Sequence, residues 1–349
     1  MVNRACLFQS VLMIGTQRSG SNLLRLILNQ VPTVAAPHPP HILQRLMPLQ
    51  WAYGNLRNQA AFMQLVDDVC RLVELNPVPW ENVNLDRAEI MARCRGNSLV
   101  AIFAAIYDTC AKAWNADTWC CKSLANVHYF SEINDYLPYV KYLYLYRDGR
   151  DVAVSFKKAV VGQKHFYHIA QEWGKAQRAA LKIREQVSHE QFLAFSYEEL
   201  TTNSQLILGN LCDFLNVEYN PSMLDFHQSN EALTTASSSS LWSNVTNQMM
   251  KKNSKKFLTQ ATEEEVRIFE LVAGDVLDSL GYERVQTAVG ETANFREEEI
   301  AQFDRENQER KALVRETMDA EDRERRERQL ALLGTIEKRH LSVGVVSAA

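Results

Sequence analysis

Short apolar runs alternate with longer segments in which apolar residues recur every three or four positions. Residues 6–14 (CLFQSVLMI) end in four consecutive apolar residues before Gly15, the pattern of a strand buried on both faces. Leu23, Leu24, Ile27 and Leu28 then fall at helical spacing, so the segment predicts strand, loop, helix. Four prolines in "VPTVAAPHPP" forbid helix there and stiffen the connection. Residues 57–75 and 98–114 read as amphipathic helices, with "NPVPWENVNL" as loop between them. Residues 140–146 are rich in β-formers and predict a second strand; Asp148-Gly149 turns the chain, and a helix starts near Asp151 and runs through Phe156. Residues 166–187 predict another helix, and "FLAFSYEEL" a strand that leads into a helix near 203–215. The Ser-rich stretch "TTASSSSLWSNVTNQMMKKNSKKF" reads as loop. Thr262 and Glu265 form a capping box for a helix that ends at Gly281.

Strands alternating with helices predict an α/β fold: three layers, with a central parallel sheet and helices on both faces. Beyond about residue 291 the pattern changes. "REEEIAQFDRENQERKALVRETMDAEDRERRERQL" is dense in both charge signs, and its apolar residues hold no sustained heptad. Residues 1–290 therefore read as one domain. Residues 291–349 read as a charged helical C-terminal extension that docks on the domain or pairs two copies of the chain.

Composition narrows the class. Hydrophobic residues make up 46% of 349 residues, enough for a large core. A net charge of −4 argues against a nucleic-acid binder while leaving room for a local basic pocket. The seven cysteines include no C-x-x-C pair, so neither a zinc site nor a redox motif is indicated, and Cys120-Cys121 reads as buried strand. No stretch approaches a membrane span, and the N-terminal apolar run is too short for a signal peptide; the expected location is cytoplasmic.

The chemistry centres on "MIGTQRSGSNLLRLIL", residues 13–28. Gly15 and Gly20 have the Walker A separation, but Ser21 stands where the lysine belongs and Arg18 sits inside the loop. Backbone amides around Ser19–Asn22 at a helix start make an anion nest, to which Ser21 and Asn22 add side-chain donors. The second strand ends in Arg147 rather than an acidic metal ligand. Extra arginine without a metal ligand suits a nucleotide with a phosphate on the ribose 3′ side and a short 5′ chain that needs no magnesium.

With those motifs the sequence resembles the PAPS-dependent sulfotransferase family, whose donor is 3′-phosphoadenosine 5′-phosphosulfate. "TQRSGSNLLR" is similar to the family's 5′-phosphosulfate loop. "LYRDGRDVAVSF" is similar to its 3′-phosphate element, in which Arg147 and Ser155 would grip the 3′-phosphate. The two lie about 125 residues apart in the family's order. "CKSL" at 121–124 resembles the family's lysine strand, "FSYEEL" at 195–200 its Tyr-Glu-Asp-Leu-like strand, and "EEEVRIFELVAGDVLDSLGYE" its closing helix. The resemblance covers residues 8–284 and implies a P-loop nucleotide-binding-like sheet. It implies that PAPS is held by Gly15, Thr16, Gln17, Arg18, Ser19, Gly20, Ser21, Asn22, Arg147, Ser155 and Tyr197, with PAP as product and no metal required. Arg18 and Lys122 become the clamps on the transferred sulfuryl group.

An acceptor hydroxyl or amine also needs a general base. Cytosolic-type members carry a histidine two residues after the strand lysine, where this chain has Leu124. Other branches carry a glutamate that counts to Pro39 here. His38 and His41 flank that position in the proline-stiffened loop and are the candidate bases; His128, His165 and His168 rank behind them. Expected acceptors are small molecules, lipids or carbohydrates, with Trp51, Tyr53, Trp80 and Trp173 as possible pocket walls. The cluster Lys251, Lys252, Lys255 and Lys256 would cover the 3′-phosphate. Competing readings are a P-loop nucleotide kinase or NTPase, and a non-catalytic nucleotide-binding scaffold.

Overall fold

A computed structural model gives the architecture of residues 8–250, 253–316 and 318–343, with the backbone alone at 240, 241 and 340–343. Strand β1 (Gln9–Gly15) leads through the loop into α1 (Ser21–Leu28). The proline-rich connection holds a two-residue strand, β2 (Val34–Ala35), and gives way at His41 to α2 (Ile42–Leu46). Then come α3 (Gln59–Glu74), α4 (Arg87–Arg93) and α5 (Leu99–Ala113), capped by Asn58, Asp86 and Ser98 in turn. Of these α3 is amphipathic as expected, whereas α5 is buried on nearly every face. Its run "LVAIFAAIY" carries no polar residue, so a second packed layer covers what would otherwise be its solvent side.

Strand β3 (Thr118–Cys121), α6 (Phe130–Tyr136), β4 (Lys141–Tyr146), α7 (Gly149–Lys158), α8 (Phe166–Gln186) and β5 (Phe192–Ser196) complete the sheet, whose order is β2-β3-β1-β4-β5 with every pairing parallel. Period two sorts the strand side chains. Leu12, Ile14, Cys121, Tyr142 and Tyr144 join the core formed with α3, α5 and α8. Val11, Met13, Cys120, Leu143 and Leu145 face α1 and α10 (Ser204–Leu215) on the other side. A third cluster joins α7 and α8 to α12 (Phe257–Gln260) and α13 (Glu263–Ser279). The described cysteines are free; Cys6 lies outside the described residues.

Two expectations change here. "FSYEEL" is not strand throughout: Ser196 closes a capping box with Glu199, so α9 (Tyr197–Thr202) starts at the tyrosine. The Ser-rich stretch is not a plain loop. Ser229 caps α11 (Asn230–Ser237), and a 3-10 turn spans Ser240–Thr246. Ser238 satisfies its hydroxyl locally by donating to the Thr234 carbonyl at 2.6 Å, and buried Ala232 and Thr235 anchor the helix, so burial overrides the composition.

The C-terminal extension forms α14 (Glu297–Glu316) and α15 (Ala320–Val343), and both dock on the same chain. Asn307 of α14 accepts from the backbone N–H groups of Lys164 and His165 at 2.8 and 3.1 Å, and Phe303 stacks on His165 at 4.6 Å. Leu332 and Ile336 of α15 enter the main core, Gln329 donates to the Leu72 carbonyl at 2.8 Å, and Arg339 pairs with buried Asp68. No described helix is long and apolar enough to cross a membrane.

Candidate active site

The loop after β1 is shaped by backbone conformation. Gly15 has φ +128, and a Cβ there would stand 2.5 Å from the Leu145 carbonyl of β4. Arg18 itself takes a left-handed φ of 69. Gly20 caps α1 at φ +88 without a side-chain cap, so the first-turn amides stay open to an anion. The Tyr197 ring packs against Gly20, where a Cβ would meet it at 2.5 Å. Beneath the loop, Thr16 and Ser19 share a 3.2 Å hydroxyl contact. Gln177 donates to Thr16 at 3.2 Å and accepts from Tyr144 at 2.6 Å, a buried chain that fixes the loop on the sheet.

The two arginine-bearing motifs meet. Arg18 Nε donates to Ser155 Oγ at 2.9 Å, and Arg147 Nη1 donates to the Arg18 carbonyl at 3.1 Å. Arg147 lies over the Tyr197 ring at 4.4 Å and donates to the Asn253 carbonyl, while Asn253 Nδ2 donates to Tyr197 OH at 2.8 Å. Asp151 lies 3.6 Å from Arg147, and the buried Arg147 Nε has no partner. Asp148 pins the start of α7 by accepting from Arg150 N at 2.9 Å and pairing with the Arg150 guanidinium at 2.8 Å. Glu270 of α13 holds the same guanidinium at 2.6 Å.

Arg18 and Arg147 open into one cavity of about 990 Å³. Its described lining carries Arg18, Arg45, Lys122, Arg147, Lys158, Lys256 and Arg326 against a single carboxylate, Asp151. Such an excess of fixed positive charge in a partly enclosed space selects for an anionic guest. Lys122, one residue past β3, donates to Asn22 Oδ1 at 2.8 Å. Burial, with the nearby Arg25 and Arg18 charges, pushes its ammonium down to about 7. His41 lines the cavity, with φ 60 and an unpartnered Nδ1; burial, then Lys122 and Arg45, push its imidazole down to about 3. His38 lies behind the wall. Asn76 and Trp80 hold its carbonyl at 3.0 and 2.7 Å, and its ring meets Trp242 edge-on at 4.6 Å. Burial, then the Arg25, Lys122 and His41 charges, hold it well below the usual histidine range.

The family model described as "Sulfotransferase family" matches residues 10–221, more than half of the chain. The chain belongs to the sulfotransferase family. Among solved structures, the sulfotransferase domain from the curacin biosynthetic pathway is similar, with a TM-score of 0.55 at 20% identity, covering 80% of this chain and 99% of that one. The sulfotransferase domain from the Synechococcus PCC 7002 olefin synthase gives a TM-score of 0.53 at 19% identity, over 75% and 93%. These likenesses are of fold. A search of curated protein sequences returns no match.

In this sulfotransferase Gln17, Arg18, Gly20, Ser21, Asn22, His41, Lys122, Arg147, Ser155 and Tyr197 all line the one cavity. Gly15, Thr16 and Ser19 support the loop from beneath, and His38 supports the wall. His165 and His168 do not reach the cavity: they face Glu306 and Asp304 of α14. His128 is exposed away from the cavity, near Lys175. Trp80, Tyr53 and Trp173 are core residues and Trp51 is half exposed, so none forms the pocket wall. Of the lysine cluster, Lys256 lines the cavity, Lys255 is exposed, and Lys251 and Lys252 lie outside the described residues.

Sequence reasoning missed Asn253, Trp242 and Arg45, and the α15 residues Arg326, Leu330 and Leu333, all of which line the cavity. The i, i+4, i+7 spacing of Arg326, Leu330 and Leu333 was a readable face, but the surrounding charges hid it.

Proposed function

We propose that this sulfotransferase moves a sulfuryl group from PAPS to a hydroxyl or amine acceptor. The observation that carries the reading is the shared cavity of Arg18 and Arg147, bridged by the 3.1 Å bond between them and by the 2.9 Å bond from Arg18 to Ser155. The residues fit the cofactor: open first-turn amides of α1 suit the 5′ side, and the unpartnered, buried Nε of Arg147, in the cavity that Ser155 also lines, suits a 3′-phosphate.

When bound, PAPS supplies the sulfuryl group. Arg147 and Ser155 hold the 3′-phosphate, with Tyr197 and Asn253 fixing the guanidinium plane. Ser21, Asn22 and the loop amides orient the 5′ side. Arg18 and Lys122 neutralise charge that builds on the oxygens around the transferred group, a contribution of the size lost when one transition-state donor is removed, about 10²–10³ in rate. His41 is the base by position: it has a free ring nitrogen and lines the cavity, and a bound anionic donor would offset the Lys122 and Arg45 charges that, after burial, hold its imidazole down to about 3. His38 positions it from behind through the proline-stiffened turn.

Thermal shift separates the alternatives. PAP raises the melting temperature if the reading holds, ATP with Mg²⁺ does so for a P-loop kinase or NTPase, and neither does for a scaffold. Transfer of label from PAPS into a metabolite extract then identifies the acceptor. Full transfer by a His38→Ala, His41→Ala double variant removes both histidines from consideration.

A further inference from the structure

The acceptor end of the cavity has its own charge pattern. Arg45 follows His41 by one turn of α2 and lines the cavity, and among the described residues it has no carboxylate partner. Burial and the nearby Arg326 guanidinium both lower its pKa, so its closest electrostatic neighbour is another cation. Arg326 is tied to Asp322 at 2.9 Å, donates to Ser239 at 3.2 Å and lies over Trp242 at 5.9 Å. Asp322 thus pairs with Arg326, and Arg45 has no carboxylate of its own among the described residues. Beside them, Trp242, Leu330 and Leu333 give the same wall an apolar surface, and Leu330 is 59% exposed on an otherwise charged helix.

An uncompensated, partly buried cation is costly, and structures keep one where a ligand completes the pair. Lys122, His41, Arg45 and Arg326 all line the one cavity, and Arg45 stands one helical turn beyond His41 on α2.

Building on the sulfotransferase reading above, we infer that the acceptor is an amphipathic molecule bearing an anionic group, with its anion held between Arg45 and Arg326 and its apolar body against Trp242, Leu330 and Leu333. The α15 helix, which lies beyond the matched family region, then sets acceptor choice in this chain.

The test uses the full chain loaded with PAP and two probes of equal length, 10-hydroxydecanoate and 10-hydroxydecanamide, titrated by calorimetry. A charge-assisted bond to guanidinium predicts that the carboxylate binds at least about tenfold tighter than the amide. Arg45→Gln removes that preference, and its amide affinity and PAP affinity match wild type. Equal binding of the two probes to the PAP-loaded protein overturns the inference. So does a parallel loss of PAP affinity in Arg45→Gln, which would give Arg45 to the cofactor. Failure of PAP itself to bind sinks the underlying sulfotransferase reading instead, so the two failures are distinct. Leu330→Gln gives a second arm, with both probes weakened alike and their ratio kept.

Discussion

Lys122 ties cofactor binding to pH. Its ammonium is pushed down to about 7 from an ordinary 10.5, chiefly by burial and then by Arg25 and Arg18. In the free protein it is therefore about one-tenth protonated at pH 8 and about one-hundredth at pH 9. A bound anion favours the charged form and holds the proton. PAP affinity should then fall about tenfold, or ~1.4 kcal/mol, for each pH unit above 8, until the bound-state pKa is reached. His41, at about 3, and His38 stay neutral in this window, and the PAP phosphates are fully ionised. Lys164, pushed down to about 8, also titrates, but it donates to the Val161 and Gly162 carbonyls rather than lining the cavity.

The assay is calorimetry with PAP at pH 7.5 to 9 in two buffers of different ionisation enthalpy, which counts the protons taken up. Wild type should take up close to one proton at pH 8.5, and Lys122→Met should take up almost none and bind with a flat profile. Without ligand the sign reverses. The folded pKa lies below the unfolded one, so the penalty on Lys122 is full below pH 7 and is relieved as pH rises towards 10.5, which raises stability over that window. A wild-type PAP affinity that stays flat from pH 7.5 to 9, or an unchanged slope in Lys122→Met, would refute the coupling.

Three further outcomes follow from single contacts. Gly20→Ala places a Cβ 2.5 Å from the Tyr197 ring at a left-handed φ, so it should lower stability by about 1–3 kcal/mol and abolish the PAP-induced thermal shift; a wild-type shift contradicts the loop geometry. Glu270→Ala strips the Arg150 guanidinium of its 2.6 Å partner and orphans the Val285, Gln286 and Thr287 amides, at a cost of about 3–5 kcal/mol by urea titration. Ile336→Ala tests the docking of α15 in cis: a fully buried isoleucine in the main core should cost about 2–5 kcal/mol, independent of protein concentration, whereas a concentration-dependent loss points to helix exchange between two chains.

Much of the fold was readable because local and tertiary signals agreed. The apolar run before Gly15, the β-former run at 140–146 and the capping box at Thr262 each fix their element through backbone chemistry that the surroundings reinforce. Arg18 and Arg147 could be singled out because each follows a parallel strand, and such strand ends converge on one edge of the sheet, whereas Ser155, inside α7, was legible only through the resemblance of "LYRDGRDVAVSF" to the family's 3′-phosphate element. The rest depended on contacts between distant segments. Nothing local marks Trp242 as the partner of His38, and the charge density of "EDRERRERQL" masks a face whose Leu332 and Ile336 are core. Tyr197 was assigned to a strand because its own propensity favours one, yet the Ser196–Glu199 box three residues wide decides in favour of helix. His38 and His41 were equivalent in sequence; only the turn at His41 directs one ring to the cavity and leaves the other behind it.

The joint action of the two arginines on one nucleotide is tested most directly by comparing adenosine 3′,5′-bisphosphate with 5′-AMP in wild type and in Arg147→Ala. Wild type should bind the bisphosphate at least about a hundredfold tighter, from two charge-assisted contacts to the 3′-phosphate, and Arg147→Ala should bring it close to the 5′-AMP affinity while leaving 5′-AMP itself nearly unchanged. Equal affinities for the two nucleotides in wild type, or an equal loss for both in the variant, would contradict a 3′-phosphate site at Arg147.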